Sequence, residues 1–336
     1  MSKADLAAAI LWVGATLYAV FGGADFGGGI WDLLAGFDER EGERPRARIQ
    51  RSITPVWEAN HVWLIFILVV LWTAFPEAFG AIMSTLYVPL ALAALGIVLR
   101  GAGFAFRKSV QRLSYRRAMG AVFALSSLLT PFFMGTVVGA IAAGNVPAEG
   151  NGDAFSSWIA VLPLLTGALF ALAGAYLAAV FLVVDSHRAG DTEMEGYFSR
   201  RALLAGVVAG AVALFGLIAL HSEARYVYDR LIVEGLPLVI ASILCGFGVL
   251  GLLLGRGRRG LRPLAIGAVV AVIWGWGVAQ FPYLLPTSLD IATAAAPGPT
   301  LTAVLVVFCV AAVTVLPALG LLYALAQRDI VGESGE

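Results

Sequence analysis

Apolar residues in this chain run in long unbroken stretches, and the polar residues are gathered between them. Such stretches recur at roughly 6–35, 54–75, 79–104, 118–143, 157–184, 202–221, 235–255, 263–284 and 300–326. Each is near or above the ~20 residues that an α-helix needs to cross a bilayer core. The runs do not alternate with period two, which excludes a membrane β-barrel. The pattern predicts an all-α polytopic membrane protein with about nine transmembrane helices.

The polar intervals then give an orientation. Basic residues fall in alternate loops. Arg40, Arg44, Arg46, Arg48 and Arg51 follow the first span, and Arg107, Lys108, Arg112, Arg116 and Arg117 follow the third. Arg188, Arg200 and Arg201 follow the fifth, and Arg256, Arg258, Arg259 and Arg262 the seventh. The intervals 76–78, 144–156 and 285–299 have no basic residue, and 222–234 has only Arg225 and Arg230. Basic loops stay on the cytoplasmic side, so the N-terminus is expected outside and the C-terminus inside, in agreement with an odd span count. No interval is long enough for a separate soluble domain, so 1–336 reads as one transmembrane domain. A loose likeness between "GATLYAVFGGADFGGG" and "GALFALAGAYLAAVFL" suggests halves at 1–150 and 151–300, two four-helix bundles, with 300–326 as a ninth helix.

Composition sharpens this picture. The chain of 336 residues is 60% hydrophobic and 13% charged, with a formal net charge of zero. Those few charges would not solvate so much apolar surface outside a membrane. The charge balance gives no basic surface for nucleic acid. The two cysteines, Cys245 and Cys309, lie far apart in apolar runs, which fits neither a disulfide framework nor a metal site. No cleavable leader is expected at the N-terminus.

The informative residues are the polar ones inside the spans. Of 22 carboxylates, Asp25, Asp32 and Glu58 fall within the apolar stretches. With the orientation above, all three lie toward the cytoplasmic side, as does Arg100 near the end of the third span. Asp25 and Asp32 are seven residues apart, on one helix face and about 10 Å apart along the axis. Glu58 and His61 share a face of the second span. Gly22, Gly28 and Gly29 surround Asp25 at i−3, i+3 and i+4, where small residues admit a neighbouring backbone or water. Two readings follow. Asp25 pairs structurally with Arg100, or Asp25, Asp32, Glu58 and His61 form a titratable route open to the cytoplasm. Trp57, Asn60 and Trp63 crowd the same stretch of the second span. Asn60 is expected in an interhelical hydrogen bond, Trp57 suits an interface belt, and Trp63 lies too deep for one. Bis-histidine haem ligation needs facing imidazoles. Of the three histidines, His187 and His221 fall at opposite membrane faces, so no haem is expected on this chain.

Four motifs resemble subunit II of the cytochrome bd-type quinol oxidases. These are "GADFGGG" ending the first span, "SITPVWEANHVWLI" opening the second, "LRGAGFAFRKS" ending the third and "FPYLLPTSLD" late in the chain. Their order and spacing agree with that family along the whole chain. The resemblance implies a partner, subunit I, holding two b-type haems and one d-type haem, with no cofactor bound here. It implies oxidation of quinol and reduction of O2 to water with protons drawn from the cytoplasm, in a bacterial inner membrane. Small single-span accessory subunits, membrane lipids and a structural quinone or lipid are further expected associates. By the same resemblance Glu58 maps onto a proton path that Asp25 shares, and Trp63 lies near an apolar oxygen route. This sequence departs from the family's usual pattern in having Glu rather than Asp at 58, His at 61, and no proline in "RGAGF". Two other functions use the same residues: an ion-coupled secondary transporter with Asp25 and Glu58 as coupling sites, and a scaffold in which Asp25 and Arg100 only pair.

Overall fold

A computed structural model describes residues 2–35, 39–53, 57–109, 113–255 and 257–332; within these, the side chains of 39–41, 53, 57–60, 107–109, 113, 114, 116, 117, 316, 319 and most of 322–332 lie outside the description. The chain is helical almost throughout. Helix α1 (Lys3–Leu17) passes through a π-helical turn (Tyr18–Gly22) into α2 (Gly23–Leu34). There follow α3 (Glu39–Ile53), α4 (Trp57–Ala74), α5 (Pro76–Thr85), α6 (Tyr87–Ser109) and α7 (Leu113–Ala142). The second part holds α8 (Val161–Arg188), α9 (Thr192–Glu223), α10 (Arg225–Leu231), α11 (Leu236–Leu254) and α12 (Leu261–Gln280). A two-stranded antiparallel hairpin, β1 (Tyr283–Leu285) and β2 (Leu289–Asp290), leads to α13 (Gly298–Gly332). Among the described residues, eight helical segments are long and apolar enough to cross a membrane, and the bent pair α4–α5 makes up to nine.

Four details differ from the span pattern. The third apolar run, expected as one span over 79–104, is divided. Pro76 disfavours the α region for Phe75, which adopts φ −139°, ψ 62°, and the chain turns by 118° between α4 and α5. Leu86 breaks the helix again before α6. The Arg-rich interval after the first span is itself a helix, α3, and the interval 222–234 contains α10. The eighth span stops at Gln280, where the chain enters the hairpin. Each of these depends on a short helix or strand packed on the bundle surface, which hydropathy does not report.

The helices meet most closely at α2 and α8. A Cβ on Gly27 would overlap the Gly174 carbonyl, and one on Gly174 would lie 2.6 Å from the Gly23 oxygen. Between spans there is little hydrophobic driving force, so close backbone approach of this kind supplies much of the packing. Trp31 at the inner end of α2 donates its indole N–H to the Ala175 carbonyl at 2.7 Å and ties the same pair again. Helix α8 is the most buried span, with Leu177, Ala179, Val180 and Val183 fully enclosed by α2, α7, α9 and α12.

Three of the basic loops come together at one end. Arg48 of α3 is buried and donates to the Asp185 carbonyl (2.9 Å) and the Ser186 hydroxyl (3.3 Å) at the end of α8. Arg44 pairs with Asp191 and Glu193, Arg262 with Asp185 (2.5 Å), and Arg258 with Glu195 (2.6 Å). The opposite end gathers the chain start, α5, the 143–160 interval, α10 and the hairpin. There Ala296 N–H donates to the Ala74 carbonyl, the Glu223 carboxylate accepts from Leu162 N–H, and Tyr226 donates to the Phe281 carbonyl.

The backbone contact generates a test. Gly27→Leu inserts a side chain where no Cβ fits, and overpacking of this kind costs about 1–3 kcal/mol or more. The variant is expected to unfold at a lower temperature in detergent than the wild type. Gly216→Leu, at a position with nothing within 4 Å of a Cβ, is expected to melt like the wild type. Equal melting of the two variants would contradict the contact.

Candidate functional site

An ion pair between α2 and α6 lies at the centre of the helices α2, α6 and α7. Asp25 and Arg100 are each 2% exposed. Arg100 Nη1 donates to Asp25 Oδ2 at 2.6 Å and Nη2 to Oδ1 at 2.7 Å, the two-pronged geometry that suits a guanidinium and a carboxylate. Nη2 also reaches the Asp25 main-chain oxygen at 3.0 Å, and Nε donates to the Ser127 hydroxyl of α7 at 2.9 Å. Ser127 in turn donates to the Phe123 carbonyl at 2.6 Å. The guanidinium lies over two phenyl rings, Phe26 at 4.7 Å and Phe123 at 4.9 Å, a cation–π environment. Three spans are thus joined at one buried charge pair with its hydrogen bonds filled, the condition under which such a pair persists in an apolar interior.

The glycines beside Asp25 have distinct neighbours. A Cβ at Gly29 would overlap the Ser127 side chain, so glycine there lets α7 bring its serine to Arg100. Gly22 lies under the Tyr18 ring. The π-helical turn just before Asp25 adds a residue to the helical turn and shifts α2 in register relative to α1. Tyr18 is buried, with its hydroxyl 3.9 Å from the Met134 sulfur and its ring edge-on to Phe26.

The other sequence-predicted residues are arranged around this pair. Asp32 is 5% exposed and lies 3.6 Å from Arg46 Nε, so the inner end of the Asp25 face is covered by α3. His61 of α4 packs on Phe26 with ring centroids 6.5 Å apart. Phe26 therefore touches both Arg100 and His61. Trp63 is partly exposed and stands edge-on to Phe66, which contacts Phe308 of α13. Trp57, Glu58 and Asn60 belong to the first turn of α4, one turn before His61, and their side chains lie outside the described residues.

The structure brings in residues that the sequence did not single out. Ser127 and Phe123 complete the shell of Arg100. Asp185 and Glu195 anchor three loops, and Asp185 sits one residue beyond the predicted end of its span. One signal for them was present. The interval after the fifth span carries Asp191, Glu193 and Glu195 among its arginines, a complement to the arginines of 40–51.

The three histidines do not face one another. The imidazoles occupy three separate places: His61 against Phe26, His187 against Glu195 at 2.9 Å, and His221 against Arg225 at 2.6 Å. Among the described residues, no group of three or more His, Cys, Asp or Glu side chains comes together as a metal site.

Comparison with known proteins covers the chain nearly end to end. The family described as cytochrome bd terminal oxidase subunit II matches residues 4–326. A Bacillus subtilis protein named cytochrome bd ubiquinol oxidase subunit 2 is 27% identical over 92% of this chain and 89% of its own length. A second B. subtilis protein, a putative cytochrome bd menaquinol oxidase subunit II, is 22% identical over 98% of this chain and 96% of its own. The solved bd oxidase of Geobacillus thermodenitrificans contains a chain that superposes with a TM-score of 0.80 at 25% identity, covering 97% of this chain and 98% of that one. With the four motifs in order, the multi-span helical fold and a match over residues 4–326, the chain belongs to the cytochrome bd terminal oxidase subunit II family.

Proposed function

We propose that this chain is the haem-free subunit of a bacterial inner-membrane quinol oxidase, and that it carries protons from the cytoplasm toward haems held in a subunit I partner. The observation that carries the reading is the buried Asp25–Arg100 pair with His61 packed on the far side of Phe26. The family match supports the oxidase assignment and implies the partner. In that partner two b-type haems and one d-type haem supply the electron transfer that oxidises quinol and reduces O2 to water. The convergence of three Arg-bearing loops supports one common face for them, which the positive-inside rule makes cytoplasmic.

Within this chain the ionisable residues divide the work. Asp25 is buried and bonded two-pronged to the Arg100 guanidinium, and its role is to compensate that charge. Removing its charge leaves Arg100 uncompensated. Glu58 and His61 are one helical turn apart on α4. They are the groups that hold and pass a proton, with Asp32 at the cytoplasmic entrance beneath Arg46. Asn60 and Trp57 line the same turn of α4, and Trp63 faces the apolar side by which O2 enters. The Asp25 carboxylate offsets Arg100, so that a proton arriving at His61 meets no net positive charge across Phe26. A scaffold reading has the same pair but no role for Glu58, and turnover separates the two.

Glu58→Gln keeps shape and removes the titrating proton. It is expected to slow quinol oxidase turnover by roughly 10²-fold while the haem spectrum of the purified complex is unchanged. Turnover equal to wild type in an intact complex removes Glu58 from the mechanism. Stability gives a second test, because breaking a buried pair costs about 3–5 kcal/mol, whereas removing both charges costs less. Arg100→Gln alone is expected to lower the melting temperature in detergent strongly. Asp25→Asn combined with Arg100→Gln is expected to recover part of that loss. A double variant as unstable as the sum of the singles would contradict the coupling.

A further inference from the structure

The end of the bundle opposite the arginine network carries a groove that the proton and oxygen roles leave unused. Short helix α10 bridges α9 and α11 there, and beneath it lies a cleft of about 340 Å³. Its walls are Leu217 and Ile218 of α9, Leu231 of α10, and Leu236 and Val239 of α11. The volume lies at the lower end of the range that holds small-molecule ligands. Leu217 is six residues before the end of α9 at Glu223, so the cleft extends about 9 Å along the helix from that end.

The mouth has a defined polar chemistry. His221, in the last turn of α9, and Tyr228 of α10 line the cleft. Their rings meet edge to face at 4.8 Å. Arg225 lies beside both, with Nη1 2.6 Å from His221 Nε2 and its guanidinium carbon 5.8 Å from the Tyr228 ring centre. Arginine has no acceptor, so His221 Nε2 accepts this bond and the imidazole proton sits on Nδ1. Asp229 occupies the Nε edge of Arg225 at 2.9–3.0 Å. Arg225 Nη2 and His221 Nδ1–H are left as donors with no partner among the described residues. The polar mouth of the apolar cleft thus carries two donors with no partner among the described residues.

We infer that this groove is a specific site for a phospholipid. One acyl chain lies in the α9–α10–α11 cleft, and the phosphodiester accepts from Arg225 Nη2 and His221 Nδ1. A phosphodiester supplies the acceptor oxygens and the negative charge that suit a guanidinium. A neutral amphiphile offers the same tail with no partner for the guanidinium. The inference concerns a site separate from the Asp25–Arg100 centre and does not depend on the oxidase reading.

The test is native mass spectrometry of the intact complex, extracted in mild detergent and supplied with phosphatidylglycerol. Wild type is expected to retain one phosphatidylglycerol through washes that remove annular lipid. It is expected not to retain a diacylglycerol with the same tails, and not to release the lipid into inorganic phosphate. Arg225→Gln is expected to weaken retention about tenfold, as the loss of one charge-assisted hydrogen bond predicts. Leu217→Trp, which fills the cleft, is expected to abolish it. Leu214→Trp, at a 63% exposed position of α9 outside the cleft, is expected to retain the lipid as wild type does. Equal retention in all three variants, retention of diacylglycerol as firmly as of phosphatidylglycerol, or a quinone in place of the phospholipid would each overturn the assignment.

Discussion

The pairing of Asp25 with Arg100 is the constraint around which the inner half of this protein is arranged. Either charge alone in that position would be costly in an apolar interior. Together they need three spans to meet: α2 for the carboxylate, α6 for the guanidinium and α7 for Ser127, which takes the remaining Nε–H. The sequence around Asp25 follows from that need. Gly29 admits Ser127, and Phe26 and Phe123 lie against the guanidinium faces.

The same stretch faces a second neighbour. One face of α2 presents Asp25 to α6 and α7, and the adjoining face presents Gly23 and Gly27 to the backbone of α8. The glycine-rich helix α2 is therefore one of the elements that join the first and second parts of the chain, alongside α7, which also packs on α8. At the inner end, Arg44 and Arg48 of α3, with Arg258 and Arg262 beyond α11, close on the acidic end of α8 and the start of α9. The more exposed of these pairs add little each. Arg48 and Arg262 act on partly or fully buried partners at the end of α8, and Arg48 docks α3 there. Asp32 thus lies under α3, and the compensated Asp25–Arg100 pair has His61 on the far side of Phe26.

Much of this was legible in the sequence, and the reasons are specific. Bilayer thickness imposes a length on every span, so hydropathy located the long helices. Rarity of charge inside a membrane singled out Asp25, Asp32, Glu58 and Arg100, and pairing of Asp25 with Arg100 was one of two readings that the span positions allowed. Which glycine serves which neighbour was not legible. The spacing placed Gly22, Gly28 and Gly29 beside Asp25, whereas contact with α8 falls to Gly23 and Gly27, because the partner helix lies some 150 residues away in sequence. Helices α3, α5 and α10 were hidden for a related reason. They take part of their stability from docking on the bundle, as Arg48 on Asp185 shows, and docking leaves no trace in hydropathy.

The central claim is that this chain works as the haem-free subunit of a quinol oxidase. The most direct measurement is to purify it through a tag from its own membrane and record the reduced-minus-oxidised optical spectrum before and after dissociating the subunits. The account predicts b- and d-type haem bands in the complex, all of them following the partner subunit on dissociation. A chain that purifies alone and colourless from a haem-replete membrane, or one that keeps haem after its partner is removed, would contradict it.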